Sequence, residues 1–393
     1  MVAILKDIRV LDFGRYIAGP YCAGLLADLG ADVIRVEPIE GGDDRYLMPA
    51  TFEGEGAMYL QANRNKRAIT LALGTDRGRE VMRRLVEQAD VVVANFSPRA
   101  LDHFGLDYPS LQAIRPNIIV TTISAFGQDG PLREKVGFDG VGQAVSGAIY
   151  LSGQPGEPYR AASSYIDFST AISAAFGTLA AIIHRMRTGE GQHVEGSLVC
   201  TGLNIMNPIL IEEFTGVNHR EPIGNRSPIS GPSDVFRATN GWFIMQAVGQ
   251  GMFKRWCHMV SRPELIEDPR FVDDIERGRN GAELSAIMTD WCKEMTRDDC
   301  LATLTKWNVA ASPVLSPVEI IGGAMGLSDS FFRVTDYPGT KGVPIARPPV
   351  QFSCAPEAPL RPPPTLGQHT DEVYAEFGFA PAEIVSLRTE GVI

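Results

Sequence analysis

Apolar residues first cluster in a short β-rich run, Ile8 to Phe13, and again at Val33 to Val36. Between them an Ala-, Gly- and Leu-rich stretch, Pro20 to Gly30, predicts a helix ending at glycine. Ala68 to Leu73 predicts a strand, Asp76 to Gln88 an amphipathic helix, and Asp90 to Asn95 a further strand. A turn and short helix through Leu111 lead to a strand at Ile118 to Ser124. Strands alternating with helices at this spacing predict βαβ units around a parallel sheet.

The pattern then changes. From Asp139 to Thr188 small residues dominate, with Ala171, Ala174, Ala175, Gly177, Ala180 and Ala181 predicting a tightly packed core helix. The loop at residues 220–232 is rich in glycine and proline and marks a domain boundary. Beyond it, Asp234 to Ala247 predicts a hairpin turning at Asn240-Gly241, followed by short helices. The proline-rich segment Tyr337 to Pro364 predicts an extended strap rather than a packed element, and Thr370 to Phe377 a final helix. Length alone, 393 residues, gives about 2.6 domains as a soft prior.

Composition narrows the function classes. With 47 acidic against 36 basic residues and a net charge of −11, the chain lacks the surplus cations that hold a nucleic-acid backbone. An anion can then be bound only through a local basic pocket or backbone N–H groups. The six cysteines form no C-x-x-C pair, and the histidines have no metal-ligand spacing, so no metal site is expected. Charged residues from Lys6 to Asp12 interrupt any signal-peptide core, and the uncharged run Phe168 to Ile183 reads as too short and too polar for a membrane span. These features predict a cytoplasmic protein with no membrane partner.

Two local patterns carry chemistry with competing readings. Gly14, Gly19 and Gly24 follow a strand and imitate a dinucleotide fingerprint, but their spacing of five does not match G-x-G-x-x-G, and close helix packing explains them. The basic stretch Asn63-Arg-Asn-Lys-Arg67 is either a solvated turn or a pocket for a phosphorylated ligand. Asp167, just before the small-residue helix, reads first as that helix's N-cap, and second as a carboxylate nucleophile for an activated acyl centre.

The ordered set Leu11-Asp-Phe13, Ala18-Gly-Pro20, Leu29-Gly-Ala-Asp-Val-Ile-Arg-Val-Glu37, Asn65-Lys-Arg67, Asn95-Phe96, Gly137-Phe-Asp139, Asp167, Pro313-Val314 and Pro364-Thr-Leu-Gly-Gln-His-Thr-Asp-Glu-Val373 resembles the class III CoA-transferase family from end to end. The resemblance implies a Rossmann-like parallel-sheet large domain plus a smaller α+β domain, in an interlocked ring-like homodimer. It places the large domain at 1–200, a linker at 201–224, the small domain at 225–325, and a strap with a C-terminal return at 326–393. It implies CoA transfer from an acyl-CoA to a free carboxylic acid, with Asp167 forming a mixed anhydride and then an aspartyl-CoA thioester. Coenzyme A is then a substrate, and no prosthetic group is implied.

The same resemblance makes Ala18, Leu71, Asn95, Phe96, His103 and Asp139 the CoA contacts, and Gly224, Asn225 and Gly231 a substrate loop supplying oxyanion donors. Pro38, Val136 and Ile17 depart from the family's Arg, Lys and Gln, and His103 stands where Arg is common; Arg35, Arg64 and Lys66 are the candidates to compensate. Arg15, Arg64 and Arg160 are candidates to hold the far carboxylate of a dicarboxylate such as succinate. The racemase branch of the family needs a His before the Asp of its motif; here Phe138 stands there and cannot move a proton. Racemisation, and a non-catalytic CoA-binding role with Asp167 only a cap, remain the alternatives.

Overall fold

A computed structural model describes residues 3–51, 54–327, 331–354 and 359–393. The first part of the chain builds a six-stranded, all-parallel sheet: β1 (Arg9–Asp12), β2 (Asp32–Glu37), β3 (Arg67–Thr70), β4 (Val91–Ala94), β5 (Ile119–Ser124) and β6 (His193–Ser197). Their order across the sheet is β3-β2-β1-β4-β5-β6, so the winding direction reverses between β1 and β4. Loops leaving the carboxyl ends of those two strands must part there and open a crevice. The central strands are near-continuous apolar runs because both faces are covered.

One face is covered by the helix Asp76–Val86 and by the C-terminal helices Thr370–Glu376 and Pro381–Thr389, whose Val373, Tyr374 and Leu387 share a buried core with Leu85 and Val86. The C-terminal segment is stitched to β3: His369 N–H donates to the Ala68 carbonyl at 2.9 Å, and Tyr374 Oη donates to the Thr70 carbonyl at 3.0 Å. The other face is covered by Ala18–Asp28 and the long helix Tyr165–Thr188. Ala171, Ala174, Ala175 and Ala181 are buried there, so the small-residue pattern lets that helix lie close to the sheet.

By length and composition this helix is the one, among the described residues, long and apolar enough to cross a membrane, a test that a core helix packed on a sheet also meets. The apolar run stops before His184, but the helix continues through Arg185 to Thr188. Its buried face belongs to the sheet's core.

The chain divides into two compact units. The first comprises Met1–Ala148, Ala161–Leu210 and Phe331–Ile393; the second comprises Ile149–Arg160 and Ile211–Ser330. The second holds a three-stranded antiparallel sheet, Ala310–Pro313, Gly241–Gln246 and Ser233–Ala238 in that order, over a core of Phe236, Phe243, Phe253, Trp256 and Phe271. The predicted Asn240-Gly241 hairpin is present. Residues expected as a linker from 201 instead continue the helix Leu198–Thr215.

The proline-rich strap also differs from expectation. Thr340–Ala346 pairs antiparallel with Phe332–Tyr337, Pro344 sitting on a two-stranded ribbon where a missing N–H is tolerated. Farther on, the Pro364 carbonyl accepts from Tyr59 Oη at 2.8 Å, and Asn65 binds the backbone of Arg361 in both directions.

Candidate active site

Residues just beyond the carboxyl ends of β1, β4 and β5 enclose a cavity of about 330 Å³ in the first unit. Arg15, Tyr16, Ile17 and Ala18 come from the β1 loop, Asn95, Phe96 and Pro98 from the β4 loop, and Ser124 and Ala125 from β5. Arg133, Lys135, Val136, Gly137 and Phe138 close one side, and Asp167 reaches in from the long helix. Of the residues expected at the site, Ala18, Asn95, Phe96 and Asp167 therefore share one wall. Leu71 is buried in the core beneath the sheet, His103 is exposed beside Phe104, and Asp139 is buried behind the wall.

Asp167 does not cap its helix. The cap position is Ser164, which makes no side-chain cap bond, and Asp167 stands three residues inside. The cap is supplied from elsewhere in the chain: Asp139 Oδ1 accepts the N–H groups of Ile166 at 2.9 Å and Asp167 at 3.2 Å. Asp139 Oδ2 accepts from Gln143 Nε2 at 2.6 Å, and Gln143 Oε1 accepts the Ala161 N–H at 3.1 Å. Asp139 and Gln143 thus fix the turn that presents Asp167, leaving the Asp167 carboxyl to face the cavity. Burial, reinforced by the Asp139 charge, pushes the Asp167 carboxyl up to about 7.

The β1 loop is held with equal care. Asn95 clamps the backbone of Arg15, accepting its N–H at 2.6 Å and donating to its carbonyl at 2.8 Å. Gly19 makes room for that amide, since a Cβ there would stand 3.0 Å from Asn95 Oδ1. Gly24 packs against the Ala62 carbonyl, which a Cβ would approach to 2.8 Å. Close packing, rather than a dinucleotide, accounts for these glycines. Tyr16 adopts a left-handed φ of 60° and meets Phe138 edge-on at 5.8 Å between ring centres. Strain of this kind persists only where the surroundings over-determine it.

The basic cluster read as a phosphate pocket is spent internally. Arg35 is fully buried, donating to Asp44 at 2.6 Å and to the Gly14 carbonyl at 3.0 Å. Lys66 donates to Asp12 at 2.7 Å and to the Pro20 carbonyl at 2.7 Å, and Arg64 to Asp28 and the Gln61 carbonyl. Arg67 joins Asp32, Glu372 and Glu376. Arg35, Arg64 and Lys66 are therefore not placed to replace the missing family contacts, and Arg64 is equally unavailable to a dicarboxylate.

The cations at the cavity are instead Arg15, Arg133 and Lys135. The last two went unrecognised in the sequence, although they lie just before Gly137-Phe138-Asp139; an Arg-x-Lys pair carries too little pattern to stand out. Gly224, Asn225 and Gly231 belong to the second unit. The Gly224 N–H donates to the Gly153 carbonyl at 2.7 Å, which removes it from the expected oxyanion donors. Among the described residues no three His, Cys, Asp or Glu side chains gather to hold a metal.

A doubly covered parallel sheet with a crevice at its switch point, walled in part by Asp167, defines an α/β protein of the class that binds ligands beyond the carboxyl ends of its strands. The chain belongs to CoA-transferase family III, whose model matches residues 5–370. It is an acyl-CoA:carboxylate CoA-transferase, moving CoA from an acyl-CoA to a free carboxylic acid, and racemisation is not favoured. Succinyl-CoA–D-citramalate CoA-transferase of Chloroflexus aurantiacus is 33% identical over 394 residues, covering 99% of this chain and 98% of the relative. Succinate–glutarate CoA-transferase of Agrobacterium fabrum is 34% identical over 384 residues, covering 95% of each. A CAIB/BAIF family protein from Brucella suis superposes with a TM-score of 0.83 at 33% identity, covering 95% of this chain and 98% of that one.

Proposed function

We propose that this enzyme exchanges CoA between a succinyl-CoA-like thioester and a second dicarboxylic acid, with Asp167 as the covalent relay. The observation that carries the reading is a carboxyl on the cavity wall whose capping duty has been taken over by Asp139. Ionised Asp167 attacks the donor thioester carbonyl, forming an aspartyl mixed anhydride and expelling CoA thiolate. The thiolate attacks the Asp167 acyl carbon, giving aspartyl-CoA thioester and releasing the donor acid. The acceptor carboxylate then runs both steps in reverse. Each intermediate is an acyl derivative of a carboxylic acid, so no step is far uphill. The names of the relatives, which pair succinate or succinyl-CoA with glutarate, mesaconate or citramalate, support dicarboxylic acids as the substrate class.

Each addition passes through an oxyanion that needs preorganised N–H donors. Ala18, Asn95 and Phe96 line the path of the CoA arm, while Leu71 supports it from the core and Asp139 from behind the wall. The enzyme works as an interlocked homodimer: the long helix leaves Ile172, Phe176, Ile183 and Met186 exposed at helical spacing, an apolar face that a second copy would cover. Six unpaired cysteines, four of them buried, fit a reducing cytoplasm.

Incubation with acyl-CoA alone, followed by peptide mass spectrometry, should show a CoA adduct on Asp167 that hydroxylamine discharges. Asp167→Ala should abolish transfer with the fold intact, and full activity in that variant would sink the proposal.

A further inference from the structure

Arg15 sits at one end of a buried ion network in the first unit. Its guanidinium lies 3.6 Å from Asp44, Asp44 is bound by Arg35, Arg35 also faces Glu37 and Asp12, Glu37 binds Arg45, and Asp12 binds Lys66. Four cations meet three carboxylates, so one positive charge is left over. Of these seven residues only Arg15 lines the cavity that holds Asp167.

Arg15 is also the member least satisfied. Asp44 Oδ2 is committed to Arg35 at 2.6 Å, and Oδ1 stops beyond hydrogen-bond distance of Arg15 Nη1. Nη1 is buried, and no hydrogen bond holds it among the described residues. A buried guanidinium N–H left without an acceptor is costly, whereas a carboxylate can take two such N–H groups at once. The other cavity cations differ: Lys135 is exposed and Arg133 is paired with Glu134, which suits a screened contact at the mouth.

We propose that Arg15 is the specificity-determining residue for the acid: its guanidinium binds the far carboxylate of a dicarboxylic acyl group whose near carboxyl reacts at Asp167. This rests on the dicarboxylate reading above. It deepens that reading by naming the group that separates dicarboxylic from monocarboxylic acids. The Asn95 clamp fixes the Arg15 backbone, and Gly42 shapes its guanidinium's seat, because a Cβ on Gly42 would collide with Arg15 Nη1 and Asp44 Oδ1. Gly42 has an extended backbone, φ −91° and ψ 147°, which alanine adopts freely.

The test compares acceptor acids with one donor, propionyl-CoA, which has no far carboxylate and differs from both acceptors. The ratio of kcat/KM for glutarate to that for butyrate should fall about 100-fold in Arg15→Gln, the loss expected for a charge-assisted pair. Arg15→Lys should recover part of the ratio. Gly42→Ala, which keeps the charge but shifts its seat, should lower the ratio in the same direction, and it carries the test if Arg15→Gln does not fold.

An unchanged ratio in a folded Arg15→Gln or in Gly42→Ala overturns the proposal. So does a raised KM for propionyl-CoA with the ratio unchanged, since Arg15 would then be holding a CoA phosphate. Asp167→Ala separates the two levels: if it is inactive while the ratio stays put, the transferase reading stands and the Arg15 assignment falls. If Asp167→Ala transfers CoA at full rate, the underlying reading has failed.

Discussion

Asp139 Oδ1 accepts the backbone N–H of Asp167 at 3.2 Å and that of its neighbour Ile166 at 2.9 Å, so one carboxylate caps the turn that carries another. The arrangement works in two directions. It aims Asp167 into the cavity, and it sets a negative charge behind a carboxyl that burial already disfavours in ionised form.

Asp139→Asn separates these effects. Asparagine keeps an oxygen for the two N–H groups but loses its charge and its bond from Gln143. The acid limb of kcat/KM against pH, which reports the free enzyme, should rise through about 7 in the parent protein. In the variant it should move lower while staying above the ordinary carboxylate range, because burial is the larger cause. A limb that does not move would show that the Asp139 charge is not felt at Asp167.

The raised carboxyl also has a stability consequence. Its folded value lies above the unfolded one, so its contribution is complete at low pH and is lost as pH climbs through about 7. Removing the charge should therefore help most in alkali. Asp167→Asn should raise Tm by a few degrees at pH 8 and by less at pH 5, measured by thermal melts, while transfer activity disappears. An equal shift at both pH values would contradict the burial account.

Much of the first unit was legible because its physics is local. Val91–Ala94 and Ile119–Ser124 are apolar runs bounded by breakers, and the alternation with helices implied parallel pairing. The strap was misread because proline content says nothing of whether a two-stranded ribbon can use the remaining N–H groups, as Thr340–Ala346 does. Asp167 was read first as a cap because a carboxylate beside a helix start usually is one. Its replacement by Asp139 comes from 28 residues upstream, a distance that no local rule spans. The basic run around Lys66 misled for the same reason: Asp12, its counter-ion, lies 54 residues away.

Isomerisation at the α-carbon predicts a measurable exchange. Phe138 occupies the motif position where a proton-moving histidine would stand, lines the cavity and is 59% exposed. With 2-methylbutyryl-CoA in deuterium oxide and no acceptor acid, no deuterium should enter the α-position by mass spectrometry. Wash-in at a rate comparable to CoA transfer would restore the racemase reading.

The Lys66–Asp12 pair gives a test of what holds the β1 loop. Both side chains are fully buried at 2.7 Å, and Asp12 Oδ1 accepts the Gly14 N–H at 2.8 Å, just before Arg15. Burial alone would raise the Asp12 carboxyl, but Lys66 and Arg35 together hold it below its usual value, while burial pulls Lys66 down to about 8. Lys66→Met keeps the volume and leaves Asp12 with only the more distant Arg35, 4.0 Å away. Breaking a buried pair from one side costs about 3–5 kcal/mol, far more than a solvent-exposed pair such as Arg77–Glu80 can supply. Urea unfolding should show that loss for Lys66→Met and almost none for Arg77→Met. Because the loop carries Arg15 and Tyr16, residual folded Lys66→Met should also show a raised KM for glutarate; a variant as stable as its parent would mean the network does not anchor the loop.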